Sequence, residues 1–257
     1  MMGLLGFDCS KPFSTNLLNQ VQASYGRMYW IARYEGRGGT NWIAPLTTTE
    51  IQQIMAEKLA LLPVFNNSLI DGGTEGTYAI GKADAKNAIA KAQALGIPVN
   101  TYLATDVEYS AKVTGAYLEG WADTMRASQY AGAGIIYCAP LSPNFASAIA
   151  MANAADNANI KRLFFWSATP EPGMKVGNVA PAYAPDVPSG FNQSAVVAWQ
   201  LQEGTLSDQV DLDEADISML TPQQYGQFML PPGGIDFSTV DKAKVQEAIG
   251  LLQEAVK

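Results

Sequence analysis

Short apolar runs alternate with longer amphipathic stretches along the first part of the chain, up to about residue 156. The short runs are rich in β-branched and aromatic residues, which favours strands, and the longer stretches repeat apolar positions at the helical period. This alternation predicts five strand–helix pairs and a parallel sheet. The predicted strands are residues 4–8, 28–34, 61–66, 99–107 and 134–139.

Local signals set the ends of the predicted helices. Ser14 is a suitable N-cap for the first helix, and Thr47 followed by Glu50 has the spacing of a capping box. Gly96 is a suitable C-terminal stop for the third helix. The helices are predicted to span residues 14–25, 47–60, 82–95, 113–128 and 143–155.

The pattern changes in the second half of the chain. Residues 162–167 and 195–202 have the composition of strands, but the segment 170–194 between them contains five prolines and three glycines, too many for a helix. Only residues 203–208 separate the seventh strand from an eighth at 210–215, and so short a turn connects antiparallel neighbours. We predict an α/β barrel of eight strands and five helices, TIM-like, with an antiparallel last strand.

A Pro-Pro-Gly-Gly segment begins at residue 231 and divides the chain. We assign residues 1–230 to the barrel domain and 231–257 to a linker and a C-terminal amphipathic helix. In this helix apolar residues recur at spacings of four, three and four, as Val245, Ile249, Leu252 and Val256. The helix either packs against the barrel or supports self-association.

Composition and charge exclude several classes of protein. With 257 residues, 48% of them hydrophobic, the chain can form a large core, and no apolar stretch approaches the roughly 20 residues of a membrane-spanning helix. A net charge of −8 argues against nucleic acid as a partner. The N-terminus has no basic region of the kind that begins a secretory signal. If the protein is a hydrolase, we expect it to act outside the cell or at the cell wall and to reach that place by another export route. If it is not a hydrolase, we expect it to be cytoplasmic.

The chain contains no histidine. This excludes Ser-His-Asp and Cys-His nucleophiles and histidine-ligated zinc, so any catalysis must rest on carboxylates. Cys9 and Cys138 are predicted to be free thiols, with one long-range disulfide as the alternative. We predict no cofactor and no metal. An acidic rim that binds Ca²⁺ or Mg²⁺ is an alternative, although the sequence has no EF-hand spacing.

Acidic residues lie where the predicted strands end. Asp8 ends the first strand, Asp106 and Glu108 end the fourth, and Asp211 begins the antiparallel eighth, which places it at the same rim. Active sites of such barrels lie at the carboxyl ends of the parallel strands. Asp106 and Glu108 are two residues apart on one strand, so they share a face, with Cα atoms roughly 7 Å apart. We predict that these four residues form a catalytic site.

Crowded carboxylates suit the cleavage of a glycosidic bond. Like charges in a partly desolvated site raise the proton affinity of one of them, which leaves a neutral acid beside an ionised partner. Such a pair can protonate a leaving oxygen and support the developing positive charge on the sugar, with either retention or inversion. Aromatic rings pack against sugars. The candidate substrate-binding residues are Arg33, Tyr34, Tyr102, Tyr137, Trp166 and Trp199.

Each candidate also has a purely structural interpretation. A D-x-E motif is often a solvated pair of charges, and Asp8 can cap a turn. Asp211 or Asp213 can protect a sheet edge from pairing with another strand. The aromatic rings can belong to the core. The prediction of a site therefore depends on the acids being brought together.

Four segments resemble the family-25 glycoside hydrolases, which are bacterial and phage muramidases. The chain is more similar still to the bacterial glycoside-hydrolase-like domain family related to them, through Arg33-Tyr34 on the second strand. The resemblance covers about residues 3–220 and implies a (β/α)₅β₃ barrel with an antiparallel last strand. The segments are Gly6-Phe7-Asp8, Ala104-Thr105-Asp106-Val107-Glu108, Trp199-Gln200 and Val210-Asp211-Leu212-Asp213.

The resemblance also implies roles for the acids. Glu108 would be the general acid, and Asp106 would stabilise or orient the reacting sugar or its N-acetyl group. Asp8 and Asp211 would bind substrate and tune the other two residues. The muramidases usually carry a tyrosine where this chain has Leu201. Two functions are therefore expected: a glycoside hydrolase acting on peptidoglycan or a related amino-sugar polymer, or a non-catalytic glycan-binding or virion or cell-wall structural module on the same barrel.

Overall fold

A computed structural model of the protein describes residues 3–37, 44–69, 73–175, 177, 180–208 and 210–216. Eight strands are present in this part of the chain. They are β1 (Gly3–Cys9), β2 (Trp30–Arg37), β3 (Ala60–Asn66), β4 (Ala104–Asp106), β5 (Ile135–Cys138), β6 (Phe164–Ser167), β7 (Val196–Gly204) and β8 (Val210–Asp216).

Helices follow each of the first five strands. They are α1 (Thr15–Tyr25), α2 (Thr48–Ala56), α3 (Tyr78–Ala94), α4 (Gly115–Arg126) and α5 (Pro143–Ala154), and a one-turn helix, α6 (Thr205–Asp208), joins the last two strands. Short 3₁₀ turns cover Ile160–Arg162 and Gln193–Ala195.

The strands close into a barrel in which each pairs with its neighbours in the sequence. Strands β1 to β7 are parallel, whereas β8 is antiparallel to both β7 and β1. The prediction of a TIM-like (β/α)₅β₃ barrel with an antiparallel last strand is confirmed. The carboxyl ends of the parallel strands and the beginning of β8 therefore form one mouth of the barrel.

Local signals explain where several elements begin and end. Ser14 and Thr47 cap α1 and α2 as predicted, each accepting a hydrogen bond from a backbone N–H three residues later. Helix α2 ends earlier than predicted, since Lys58 has a positive φ of 63° and β3 begins shortly after it. Strand β4 is much shorter than predicted: it begins at Ala104, and Asn100 before it has a φ of 67°, outside the extended region.

Two hydrophobic layers hold the barrel together. The outer layer packs the helices against the outside of the sheet, and the inner layer fills the barrel with alternate strand residues. At Gly6 the indole of Trp30 lies so close that an added Cβ would be 2.3 Å from the ring, so only glycine fits there. Residues on one strand therefore alternate between the interior of the barrel and the helical layer.

Other predictions have mixed outcomes. Cys9 and Cys138 are free thiols and are buried. Within the described ranges, no helix is long and apolar enough to cross a membrane. The division at 230/231, the C-terminal helix and the self-association it would support lie outside the described residues.

Candidate active site

Asp106 and Glu108 form a pair of carboxyl groups at the mouth. Asp106 is the last residue of β4 and is only 1% exposed, whereas Glu108 lies in the following loop and is half-buried. The two carboxyl groups lie close enough for a hydrogen bond between their side chains, and such a bond requires one of the two to carry a proton. The hydroxyl of Tyr34, at the mouth end of β2, donates a 3.0 Å hydrogen bond to Asp106 Oδ2.

The surroundings of Glu108 favour its protonated form. Burial of the carboxyl raises the pKa of Glu108 above its ordinary value, and the negative charges of Glu203 and Asp211 raise it further. The hydrogen bond with Asp106 lowers the pKa of Glu108 in part. Glu108 therefore holds a proton at higher pH than a solvated glutamic acid does, and it remains accessible from the mouth.

A second pair of carboxyl groups lies on the other side of the mouth. Asp8 on β1 and Asp213 on β8 are both buried, and a hydrogen bond joins their side chains. Burial raises the pKa of Asp8 well above its ordinary value, and the charges of Asp213 and Asp211 raise it further. Burial and the charge of Asp211 also raise the pKa of Asp213. Trp166 donates its indole N–H to Asp213 Oδ1 at 2.8 Å and fixes this carboxyl.

Gln200 on β7 connects the two sides. Its Nε2 donates to Asp211 Oδ2 at 3.0 Å and more weakly to Asp8 Oδ2 at 3.5 Å, while its Oε1 accepts the hydroxyl of Tyr137 at 2.7 Å. Asp211 is the Cα partner of Asp8 in the antiparallel β1–β8 ladder, and its Oδ1 accepts a 2.6 Å hydrogen bond from the backbone N–H of Gly204. The four predicted acids are thus brought together at one mouth.

Arg33 does not reach this site. It points away from the barrel interior, is fully buried, and forms a 2.6 Å ion pair with Glu50 of α2. Its guanidinium also donates to the backbone carbonyls of Cys9 and Ala44. The predicted capping box is therefore only half formed: the backbone N–H of Glu50 donates to Thr47, but its carboxylate turns to Arg33. We remove Arg33 from the candidate substrate-binding residues.

The predicted aromatic residues separate into two groups. Tyr34 and Tyr137 are half-buried and bond to the site, and Trp166 lies beneath it, 2% exposed, with its ring edge-on to Tyr137 at 4.8 Å. Tyr102 precedes β4 and packs edge-on against Phe164, towards the opposite end of the barrel. Trp199 lies in the outer layer, where its indole donates to the carbonyl of Pro170. Tyr102 and Trp199 are therefore core residues, because their fully buried rings cannot contact a sugar.

Sequence reasoning missed several groups at the site. Asp213 repeats the two-residue spacing of Asp106 and Glu108, and this signal was available. Tyr109 follows Glu108 directly and is 66% exposed, so its ring is accessible beside the site. Gln200 belongs to the Trp199-Gln200 segment and Asn66 ends the predicted third strand, so both were marked by position, but their hydrogen-bonding states and the approach of Glu203 depend on the packing of the strands. In the described part of the chain, no group of three or more acids or cysteines is arranged to hold a metal ion.

Comparisons with known proteins place this geometry in context. The family model described as the Rv2525c-like, glycoside hydrolase-like domain matches residues 26–215. No curated protein matches the chain. Among solved structures, an uncharacterized protein from B. stearothermophilus is 27% identical, with a TM-score of 0.73, covering 85% of this chain and 98% of its own.

Two more distant structures share the fold. The Tat-secreted protein Rv2525c of Mycobacterium tuberculosis, solved in complex with L-tartrate, is 16% identical over 89% of this chain and 98% of its own, with a TM-score of 0.54. The modular autolysin LytC from Streptococcus pneumoniae, in complex with a synthetic peptidoglycan ligand, is 13% identical over 82% of this chain and 46% of its own, with a TM-score of 0.52.

Proposed function

Because the chain belongs to the family of Rv2525c-like, glycoside hydrolase-like domains, as the resemblance in its sequence implied, we propose that it is a glycoside hydrolase that cleaves peptidoglycan or a related amino-sugar polymer. The observation that carries the proposal is the hydrogen-bonded pair of Asp106 and Glu108 at the mouth. One member is buried and the other is accessible, and no lysine or arginine of the described residues is among the charges that shift the pKa of Glu108. A proton held in this way is available to a leaving oxygen.

In the proposed mechanism Glu108 is the general acid. It donates its proton to the glycosidic oxygen as the bond to the sugar breaks, and positive charge develops on the sugar ring. Asp106, held by Tyr34, keeps a negative charge near that centre and stabilises it, or orients the N-acetyl group of the sugar. Asp8 and Asp211 bind substrate, and the negative charge of Asp211 helps to keep Glu108 protonated.

The proposed substrate-binding surface differs from the one predicted by sequence. Tyr34 and Tyr137 line the mouth, and Tyr109 offers an exposed ring beside Glu108. LytC, a barrel of the same fold, binds a synthetic peptidoglycan ligand, which supports a cell-wall polymer as the partner. We therefore propose that the protein acts outside the cell or at the cell wall, where such a polymer is found.

The substitution Glu108→Gln tests the proposal. It keeps the shape of the side chain but removes the transferable proton, so the release of reducing ends from purified peptidoglycan should fall by at least about 100-fold. Glu119→Gln, on helix α4 and outside the site, is the control and should keep wild-type activity. Wild-type turnover in the Glu108→Gln variant would remove Glu108 from the mechanism.

A second candidate function is a non-catalytic glycan-binding module. It is favoured by the burial of Asp8 and Asp106, which are 7% and 1% exposed, and by the Tyr34 hydroxyl that already occupies Asp106. In this case the wild-type protein would sediment with cell walls and release no soluble fragments after long incubation. Glu108→Gln would then leave wall binding unchanged.

A further inference from the structure

Asn66 and Asn67 are adjacent, fully buried asparagines with opposite hydrogen-bonding states. The Nδ2 group of Asn67 donates to Thr105 Oγ1 and to the carbonyl of Asp106, and its Oδ1 accepts from the backbone N–H of Leu69. Neither Oδ1 nor Nδ2 of Asn66 has a hydrogen-bond partner. Since a buried polar group without a partner destabilises the folded protein, the unpaired amide of Asn66 requires an explanation.

The position of Asn66 supplies one. Leu62 and Val64 on β3 face the barrel interior, so the alternation of the strand places Asn66 on the same inward face at the mouth. Its Cα partner on the neighbouring strand is Asp106. The hydrogen bond from Tyr34 on β2 to Asp106 on β4 crosses β3 at this level. Asn66 therefore lies in the wall between the two ends of that bond.

Proton transfer changes what Asp106 requires. In the resting protein Asp106 accepts a hydrogen bond from Tyr34 and shares a proton with Glu108. When that proton moves to a leaving oxygen, Asp106 is left as a buried carboxylate and loses the hydrogen bond to Glu108. A buried carboxylate is stable only when donors surround it. The amide N–H groups of Asn66, on the adjacent strand, are unused donors.

We propose that Asn66 is a positioning residue that donates a hydrogen bond to Asp106 once the proton shared by Asp106 and Glu108 has left. The consequence for catalysis rests on the proposed function, whereas the hydrogen bond itself does not. An interaction that forms only as the proton leaves stabilises the transition state and not the bound substrate. Asn66 thereby keeps Asp106 ionised and in place while the sugar carries positive charge.

The first test follows the side-chain amide of Asn66 by ¹H–¹⁵N NMR as the pH is raised. Its resonances, identified by their absence in Asn66→Leu, should shift with the same midpoint as the loss of the shared proton. The titration of this pair has to be separated from the other groups that face it. These groups are Tyr34, Tyr117, Tyr137, Asp8, Glu203 and Asp211.

Three controls isolate the effect. Glu108→Gln should abolish the shift, Asp211→Asn should retain it, and the amide of Asn67, whose partners are already fixed, should show no transition at that midpoint. Asn66 resonances that stay constant while the carboxyl carbon of Glu108 titrates would overturn the proposal. This outcome is independent of whether the protein hydrolyses any polymer.

The second test measures the consequence for catalysis. Asn66→Leu should lower kcat by about 10- to 100-fold with KM changed by less than about twofold, as expected for a hydrogen bond to a charged group made only in the transition state. The same variant should be at least as stable as the wild type, whereas Asn67→Leu should be less stable because it leaves partners unpaired. A loss of stability in Asn66→Leu equal to that in Asn67→Leu would overturn the proposal. If the wild type releases no reducing ends, the proposed function fails, and the amide titration alone then decides the role of Asn66.

Discussion

The α2–β2 contact and the mouth of the barrel treat buried acids differently. In the outer layer, Glu50 is compensated by the guanidinium of Arg33 at 2.6 Å and by the backbone N–H of Phe13 at 2.7 Å. At the mouth, Asp8 and Asp213 are as deeply buried but are bonded to each other. The ion pair of Glu50 with Arg33 joins α2 to the barrel. Among the residues that the structure describes, Asp8 and Asp213 have no such cation as a partner, so they retain protons and can transfer them.

The mouth should therefore make stability depend on pH. Folding raises the pKa of Asp8 and of Asp213, so the folded state binds more protons than the unfolded state between the ordinary and the raised pKa. Their contribution to stability is fully present below the ordinary pKa of an aspartic acid and is lost as the pH rises through the raised pKa. The site lowers the stability of the protein at neutral pH.

The largest expected effect comes from breaking the compensated pair. Arg33→Met leaves the carboxylate of Glu50 buried without its cation, so we expect the free energy of unfolding to fall by about 3–5 kcal/mol. Urea denaturation measures this loss. The double variant Arg33→Met/Glu50→Gln should recover part of it.

Arg27→Met is the matched control. The guanidinium of Arg27 lies over the ring of Tyr29 at 5.1 Å, whereas Glu50 pairs with Arg33. The loss of Arg27 should therefore change the free energy of unfolding by less than about 1 kcal/mol. Glycan binding by folded Arg33→Met protein should equal that of the wild type. A variant of normal stability with weakened binding would instead return Arg33 to the site.

The next effect comes from removing one acid of the uncompensated pair. Asp213→Asn keeps an acceptor for the indole of Trp166 and a donor for Asp8 but carries no charge. We expect stability at neutral pH to rise, by about 1.4 kcal/mol for every unit by which folding raises the pKa of the lost group. Urea denaturation at pH 5 and pH 7.5 should show that the free energy of unfolding falls less between these two pH values in Asp213→Asn than in the wild type.

Asp156→Asn, at an exposed acid paired with Lys161, is the control for this measurement. Asp156→Asn should leave the fall in the free energy of unfolding between pH 5 and pH 7.5 the same as in the wild type. A loss of stability at neutral pH in Asp213→Asn would mean that the carboxylate of Asp213 holds the barrel together and does not strain it.

The comparison also explains which parts of the site could be predicted from the sequence. The strand-end rule brought Asp8, Asp106, Glu108 and Asp211 together because period, turn length and strand direction are local properties. The same alternation places Arg33 on the face opposite to Tyr34, so the two residues could not both line the mouth. The alternation alone therefore places Arg33 outside the mouth.

Other features could not be predicted, because they depend on three-dimensional packing. Tyr102 was expected at or near the end of a strand at the mouth, but it precedes β4, which begins at Ala104, and the positive φ of Asn100 is not specified by any pattern of hydrophobicity. The ion pair of Arg33 with Glu50 joins two elements whose relative orientation the sequence does not give. Whether the amide of Asn66 is paired depends on the positions of all the side chains around it, which the sequence does not give.

The smallest expected effect tests whether the acids at the mouth act on one another across its rim. Glu203 is exposed, and its charge raises the pKa of Glu108. Glu203→Gln should lower the pKa of Glu108, so the protonated form is lost at lower pH and the alkaline limb of the pH–rate profile moves towards acid. The rate at the pH optimum should change by less than about twofold because solvent screens an exposed charge.

Two controls test whether the charge of Glu203 is responsible. The shift of the alkaline limb should nearly vanish in 1 M salt, where the Debye length is about 3 Å. Glu57→Gln, which removes an acid at the end of α2, should produce no shift. A shift that persists at high salt would show that Glu203 acts on Glu108 through contact and not through its charge.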